Sequence, residues 1–215
     1  MTHSLWLTVI LAAAPLVLEA QAACEGAVRA PATGGWGEYV VLAPRRQEPS
    51  TVRYAIVGSE ERGGRRLVRF ETRVRSAGQR AGMVTQVLVP GYPYEPSTVQ
   101  DVVVQRGREA SVRWGPALLA RARGSQRSAL NRLIVDACTG ATLVGQEEVT
   151  VPAGTFATRH YRNAEVGSDI WVIEEVPFGL VKVTGAEGAS LELLGHGRDA
   201  RSSITGEPRL VNGAE

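Results

Sequence analysis

The stretch 149–162, VTVPAGTFATRHYR, limits the fold more than any other. Side chains alternate with period two on both sides of Pro152-Ala153-Gly154. Period two sends successive side chains to opposite faces, which is the pattern of a strand rather than a helix. Pro152 presets φ for the first central turn position, and Gly154 relieves crowding at the turn exit. The stretch therefore reads as a β-hairpin. The same alternation, broken by Gly and Pro, predicts strands over 36–42, 51–57, 65–74, 83–89, 99–105 and 110–114. It predicts five more over 142–151, 155–163, 168–175, 180–185 and 189–195. Turns are expected at 60–64, at Arg106-Gly107-Arg108, at Pro177-Phe178-Gly179 and at Ala186-Glu187-Gly188.

Helical signal is confined to 116–135. Pro116 suits a first helical turn, and Ala117, Leu118, Leu119 and Ala120 follow before Gly124-Ser125 interrupts. The expectation is a short helix, a break, then a second short helix or an irregular segment. The fold class is thus mainly β: a large curved antiparallel sheet, a half-barrel or open barrel, with a short helical insertion near 116–132. A sheet of about ten strands must curl to bury one face, and either a helix or a ligand then fills its concave side. Residues 23–196 read as a single domain, and the polar tail 197–215 is expected to fray.

Residues 5–18, LWLTVILAAAPLVL, carry no charge and are too short to span a bilayer as a helix. Ala20-Gln21-Ala22 follows, with the small-x-small spacing of a signal-peptidase site. Residues 1–22 are expected to be a secretory signal peptide, although the segment before the apolar run has no Lys or Arg. The mature chain is then expected in the periplasm, with no transmembrane segment. Two fates are open to Cys24. Ala22-Ala23 before it resembles a lipoprotein site, which would anchor the chain at the outer membrane, but Gln21 replaces the usual aliphatic residue. The chain has only two cysteines, Cys24 and Cys138, and an oxidising compartment favours a disulfide between them.

The formal net charge is only +2, but its distribution is uneven. Residues 45–132 hold 17 arginines against seven acids, and residues 136–215 hold 12 acids against six bases. Such asymmetry could face anionic phospholipid or lipopolysaccharide; two solvated faces that complement each other are the plainer reading. Nucleic acid is a poor partner for an exported chain without a recognition motif.

Chemistry is sparse. There is no nucleophile elbow, P-loop, H-E-x-x-H or G-x-G-x-x-G pattern. His160 and His196 could join Asp169 or Glu174 as metal ligands only if the sheet brought them together. Glu147-Glu148 and Glu174-Glu175 are adjacent on strands, so the two members of each pair face opposite ways. The expectation is a protein that is not an enzyme, with no cofactor, catalytic residue or metal site. Trp36, Trp114, Phe156 and Trp171 are the candidates for lining a ligand cavity, with core anchoring as their ordinary role. Tyr92 and Tyr94, in the loop YPYEP, are candidates for a rim or a partner site.

The segments GWGEYVV, MVTQVLVPG, LVGQEEVTVPAGTFATRHYR and DIWVIEEVPFGLVKVTGAEGASLELLGHG, in that order, resemble a group of uncharacterised bacterial envelope proteins. These look like members of the DUF3108-like and LolA/LolB-type lipoprotein-carrier superfamily, over most of 36–196. The resemblance implies an incomplete antiparallel barrel with a helical lid over an apolar cavity, and, in the best-known relatives, handling of acyl chains. The expected function is therefore an exported envelope protein that binds an amphiphile, a lipid or acyl chain, in the concavity of the sheet. The alternative is a non-enzymatic structural or protein-interaction module of the envelope with no small-molecule ligand. A hydrolase with a hidden site ranks last. With only 6% aromatic residues and one weak helical segment, the cavity could be small or filled by the chain's own side chains. A continuous apolar cavity of several hundred Å³ is what the carrier reading needs.

Overall fold

The computed structural model describes residues 24–42, 48–76, 82–125 and 129–212; the expected signal peptide lies outside them. Twelve strands form one sheet. They are β1 (Trp36–Leu42), β2 (Ser50–Arg62), β3 (Arg65–Ser76), β4 (Met83–Val89), β5 (Asp101–Arg106), β6 (Val112–Trp114), β7 (Thr142–Val151), β8 (Gly154–Asn163), β9 (Ser168–Val172), β10 (Leu180–Thr184), β11 (Ser190–Gly197) and β12 (Arg209–Val211). Two helices, α1 (Pro116–Arg123) and α2 (Ala129–Cys138), interrupt them, and a helical turn spans 24–27. The spatial order is β12-β6-β5-β4-β3-β2-β1-β11-β10-β9-β8-β7, so the sheet stays open with β12 and β7 at its edges. Every pairing is antiparallel except β12 on β6.

Bulges bend this sheet. Register shifts fall between Glu38 and Tyr39, Ile56 and Gly58, Leu143 and Gly145, and Leu180 and Lys182. Each adds local twist. The Pro152-Ala153 turn of the β7–β8 hairpin then folds back, and the Ala153 N–H donates to the Leu193 carbonyl at 3.0 Å. The hairpin is thus both a turn and a brace against β11.

One sheet face carries the main core. Tyr39, Tyr54, Phe70, Ile170, Val183, Leu191 and Leu193 are all buried there. Helix α2 lies against β8 and β9 and presents Asn131, Ile134, Ala137 and Cys138 inward, at the three-to-four spacing of a helix face. Cys138 is disulfide-bonded to Cys24, with Cα atoms 5.6 Å apart, so the 24–27 turn is tied to the end of α2. Closing a loop across 114 positions is worth about 4–5 kcal/mol in the chain-entropy account. Helix α1 buries no side chain. It is held at its C-terminal end, where Arg123 Nε donates to the Val99 carbonyl at 2.7 Å.

Four local expectations change. The β2–β3 hairpin runs on to a two-residue turn, because Gly63 and Gly64 take φ of 58° and 70°; the expected loop over 60–64 is mostly strand. The strand expected from Val99 starts at Asp101, after a 3₁₀ turn at Pro96–Thr98. The strand expected over 168–175 ends at Val172, where the chain enters the Val176–Gly179 turn. The described part of the polar tail, residues 198–212, is hydrogen-bonded to the sheet at several points and includes β12, with Arg209 opposite Val112 and Val211 opposite Trp114. Its polarity suits the polar sheet face that it covers.

Candidate functional site

Pairing register sorts the side chains of β1 to β5 onto two faces, since directly opposed residues share a side. On the concave face, aromatic rings meet in one cluster. Tyr54 lies 5.3 Å from Phe70, 5.8 Å from Tyr92 and 5.9 Å from both Tyr39 and Phe178. Phe70 stacks on Tyr92 at 5.1 Å, and Tyr94 meets the Phe70 edge at 5.8 Å. Each such contact adds about 0.5–1.5 kcal/mol beyond area burial. The turn that supplies Phe178 is under strain: Phe178 has φ 68°, and Gly179 at φ 70° touches Ala27 so closely that a Cβ would stand 2.0 Å from its carbonyl oxygen. Burial raises the Tyr39, Tyr54 and Tyr92 phenols above their ordinary pKa. The hydroxyls of Tyr39 and Tyr92 have no hydrogen-bond partner among the described residues.

Tyr92 and Tyr94, the candidates for an exposed rim, therefore turn inward, and Tyr92 is only 5% exposed. Their ring area outweighs the polarity of the YPYEP loop that carries them. The four candidate lining residues are not brought together around a void. Trp36 sits on the opposite face of β1, where its indole N–H donates to Asp199 at 2.7 Å and Arg53 lies 4.3 Å over its ring. Trp114 is on the short strand β6, beside the β12 edge. Phe156 meets His196 at 6.0 Å, and Trp171 stacks on His160 at 4.4 Å.

The His160–Trp171 stack centres a polar cluster on β7 to β10. His160 Nε2 is 2.6 Å from Asp169 Oδ1, which also accepts from Arg162 Nε at 2.7 Å. His160 Nδ1 is 3.1 Å from Glu147 Oε1 but lacks the alignment of a hydrogen bond; the indole N–H of Trp171 donates to that same oxygen. Lys182 pairs with Glu192 at 2.8 Å and lies 5.7 Å over the Trp171 ring. Partial burial pushes the Asp169 carboxyl up, but hydrogen bonds from Arg162 and His160 outweigh it and leave the group below the ordinary range. Of the suggested metal ligands, His160 and Asp169 meet, whereas His196 lies against Phe156 and Glu174 pairs with Arg159 at 2.9 Å. No group of three ligands that could hold a metal occurs among the described residues.

The convex face of β2 to β5 is polar and crossed by the 198–212 strap. Glu71, only 2% exposed, accepts from Gln86 Nε2 at 2.8 Å, from the Ser203 N–H at 2.9 Å and from Ser203 Oγ at 2.5 Å. Gln86 also donates to Ser202 at 2.8 Å, and Arg73 donates to Ser203 Oγ. Beside the strap, a groove of about 760 Å³ opens to solvent, lined by Arg73, Arg75 and Arg108 with Val84, Gln105 and Ser203. On the other side of the Gly82–Gly107 contact a second groove of about 780 Å³ carries Arg106, Arg108, Glu109 and Met83. The arginine excess over 45–132 is legible in the sequence, but this convergence is not. Its trace lies in RRLVRFETRVR, where Arg69, Arg73 and Arg75 share one face of β3.

No helix among the described residues is long and apolar enough to cross a membrane. No protein-family model matches the chain, and no curated protein matches it. A crystal structure of a Bacteroides fragilis NCTC 9343 protein with a YmcC-like fold, described only provisionally as exported, aligns with 78% of this chain and 97% of its own, at 10% identity and a TM-score of 0.38.

Proposed function

We propose that this protein is an exported, non-enzymatic module of the cell envelope that acts through its outer surface. The observation that carries this reading is the aromatic cluster of Tyr39, Tyr54, Phe70, Tyr92, Tyr94 and Phe178, which occupies the concavity where a carrier would hold an acyl chain. An acyl chain could enter only by displacing rings already in mutual contact, and close-packed interiors resist such insertion. The apolar run 5–18, the small-x-small site after it and the Cys24–Cys138 bond support an oxidising, extracytoplasmic setting. The envelope setting of the LolA/LolB-type resemblance is kept in this reading, and acyl carriage is not.

Native mass spectrometry of the protein recovered from a bacterial periplasm, with organic extraction of the same sample, tests it. The expected result is the mass of the oxidised polypeptide alone, unshifted by added fatty acid. A near-stoichiometric acyl lipid, displaced by fatty acid, would overturn the surface reading and restore the carrier.

A further inference from the structure

We infer that the groove beside the strap, lined by Arg73, Arg75 and Arg108, binds a phosphate group, as a free phosphate ester or a phospholipid headgroup. This deepens the surface reading and names the chemistry of its ligand.

The contrast along β3 motivates it. Arg69 is neutralised by two carboxylates, Glu60 and Asp101, the latter at 3.0 Å. Arg73, four residues on and on the same face, has only the Ser203 hydroxyl as a side-chain partner among the described residues. Arg75 and Arg108 form no ion pair among the described residues, and no carboxylate lines the groove. Glu71, on the same face of β3, is already engaged by Ser203 and Gln86, and Glu109 lines the adjoining groove rather than this one.

Like charges also meet at the edge of the groove. Arg53 and Arg73 stand directly opposite each other on β2 and β3, and like charges in that position destabilise a sheet. Arg53 feels this: burial lowers its pKa first, and the charge of Arg73 lowers it further, against Glu38, Glu71 and Asp199. Guanidinium groups present planar forks of N–H donors that match phosphate oxygens. Three such groups around an open groove would supply several charge-assisted hydrogen bonds to one phosphate. Ser203 donates to Glu71 and accepts from Arg73, and Gln105 donates to the Glu109 carbonyl at 2.9 Å. The arginines thus carry the recognition, while the neutral residues shape the walls.

The test uses the mature, oxidised protein and three probes: inorganic phosphate, glycerol 3-phosphate, and vesicles of phosphatidylglycerol against phosphatidylcholine. The double variant Arg75→Gln/Arg108→Gln changes two exposed side chains, so the fold should survive; circular dichroism checks this. The control is Arg65→Gln/Arg66→Gln, which removes the same charge at the exposed tip of the β2–β3 hairpin, outside the groove. By calorimetry, the groove variant is expected to bind phosphate at least ~10-fold more weakly, and the hairpin variant to bind like the parent. Phosphate binding without vesicle binding would support the site and name a soluble ester as its ligand. Binding to phosphatidylglycerol vesicles that phosphate competes away would support it and name the headgroup. Equal weakening by both variants, or no binding to any probe, would overturn it. The surface reading is judged separately, by the native mass.

Discussion

Glu71 and Ser203 are 132 positions apart and share two hydrogen bonds, one from the Ser203 backbone N–H and one from its hydroxyl. This contact fastens the strap to the middle of the sheet. A hydrogen bond to a charged group is worth about 1.5–3 kcal/mol. Ser203→Ala keeps the backbone bond and removes the hydroxyl, so a loss of about 1–2 kcal/mol is expected in urea denaturation. Trypsin gives a local readout, because Arg198, Arg201 and Arg209 all lie in the strap. Cleavage after these residues should quicken in the variant. Unchanged strap cleavage would show that the latch does not hold it.

Gly179 separates a steric requirement from a conformational one. At φ 70° its Cβ position is 2.0 Å from the Ala27 carbonyl oxygen, whereas Gly140 at φ 74° has open space around it. Gly140→Ala should therefore cost about 1 kcal/mol, from backbone conformation alone. Gly179→Ala should cost about 3 kcal/mol or more, because the helical turn at 24–27 or the Phe178 turn must also move. Denaturation midpoints of the two variants check the difference.

The buried phenol of Tyr39 has no partner among the described residues. Removing an unsatisfied hydroxyl relieves a desolvation cost and keeps the ring. Tyr39→Phe should be neutral or stabilising by up to about 1 kcal/mol. Phe70→Ala removes a ring that touches four others and should lose about 3–5 kcal/mol. A clear loss in Tyr39→Phe would reveal a bound water or ligand on that hydroxyl.

Asp169 gives the acid response a sign. Its folded-state pKa lies below the ordinary value of 3.8. As pH falls through that value, the unfolded chain takes up the proton first, so the stabilising contribution is full above 3.8 and is lost as pH drops through the lower, folded pKa. Stability measured by urea denaturation should decline with acid below about pH 4. Asp169→Asn should flatten that decline, while lowering stability at pH 7.

The strands β1, β4 and β7 were legible to the residue, because alternation and Gly or Pro punctuation mark both their ends. The Cys24–Cys138 pairing followed from cysteine count and compartment. Strand β12 was not legible: Arg209-Leu210-Val211 is too short for periodicity, and it exists because β6 offers an edge. The inward turn of Tyr92 and Tyr94 was hidden as well. Two tyrosines among prolines read as a surface loop, and only the opposite wall of Tyr54, Phe70 and Phe178 draws them in. The arginine groove was half legible. Arg73 and Arg75 share a β-face by spacing, but Arg108 comes from the β5–β6 turn, and only strand order shows that the two meet.

The disulfide also orders events in time for a chain threaded through a membrane N-terminus first. Cys24 reaches the oxidising side long before Cys138, with 114 positions between them. With no third cysteine in the sequence, the early thiol has no wrong intramolecular partner, yet it stays exposed to oxidants and to other chains until β1 to β6 and α2 have followed it across. The bond thus marks a checkpoint: its closure reports that the first six strands have arrived, together with the helix that will cover β8 and β9 once they follow.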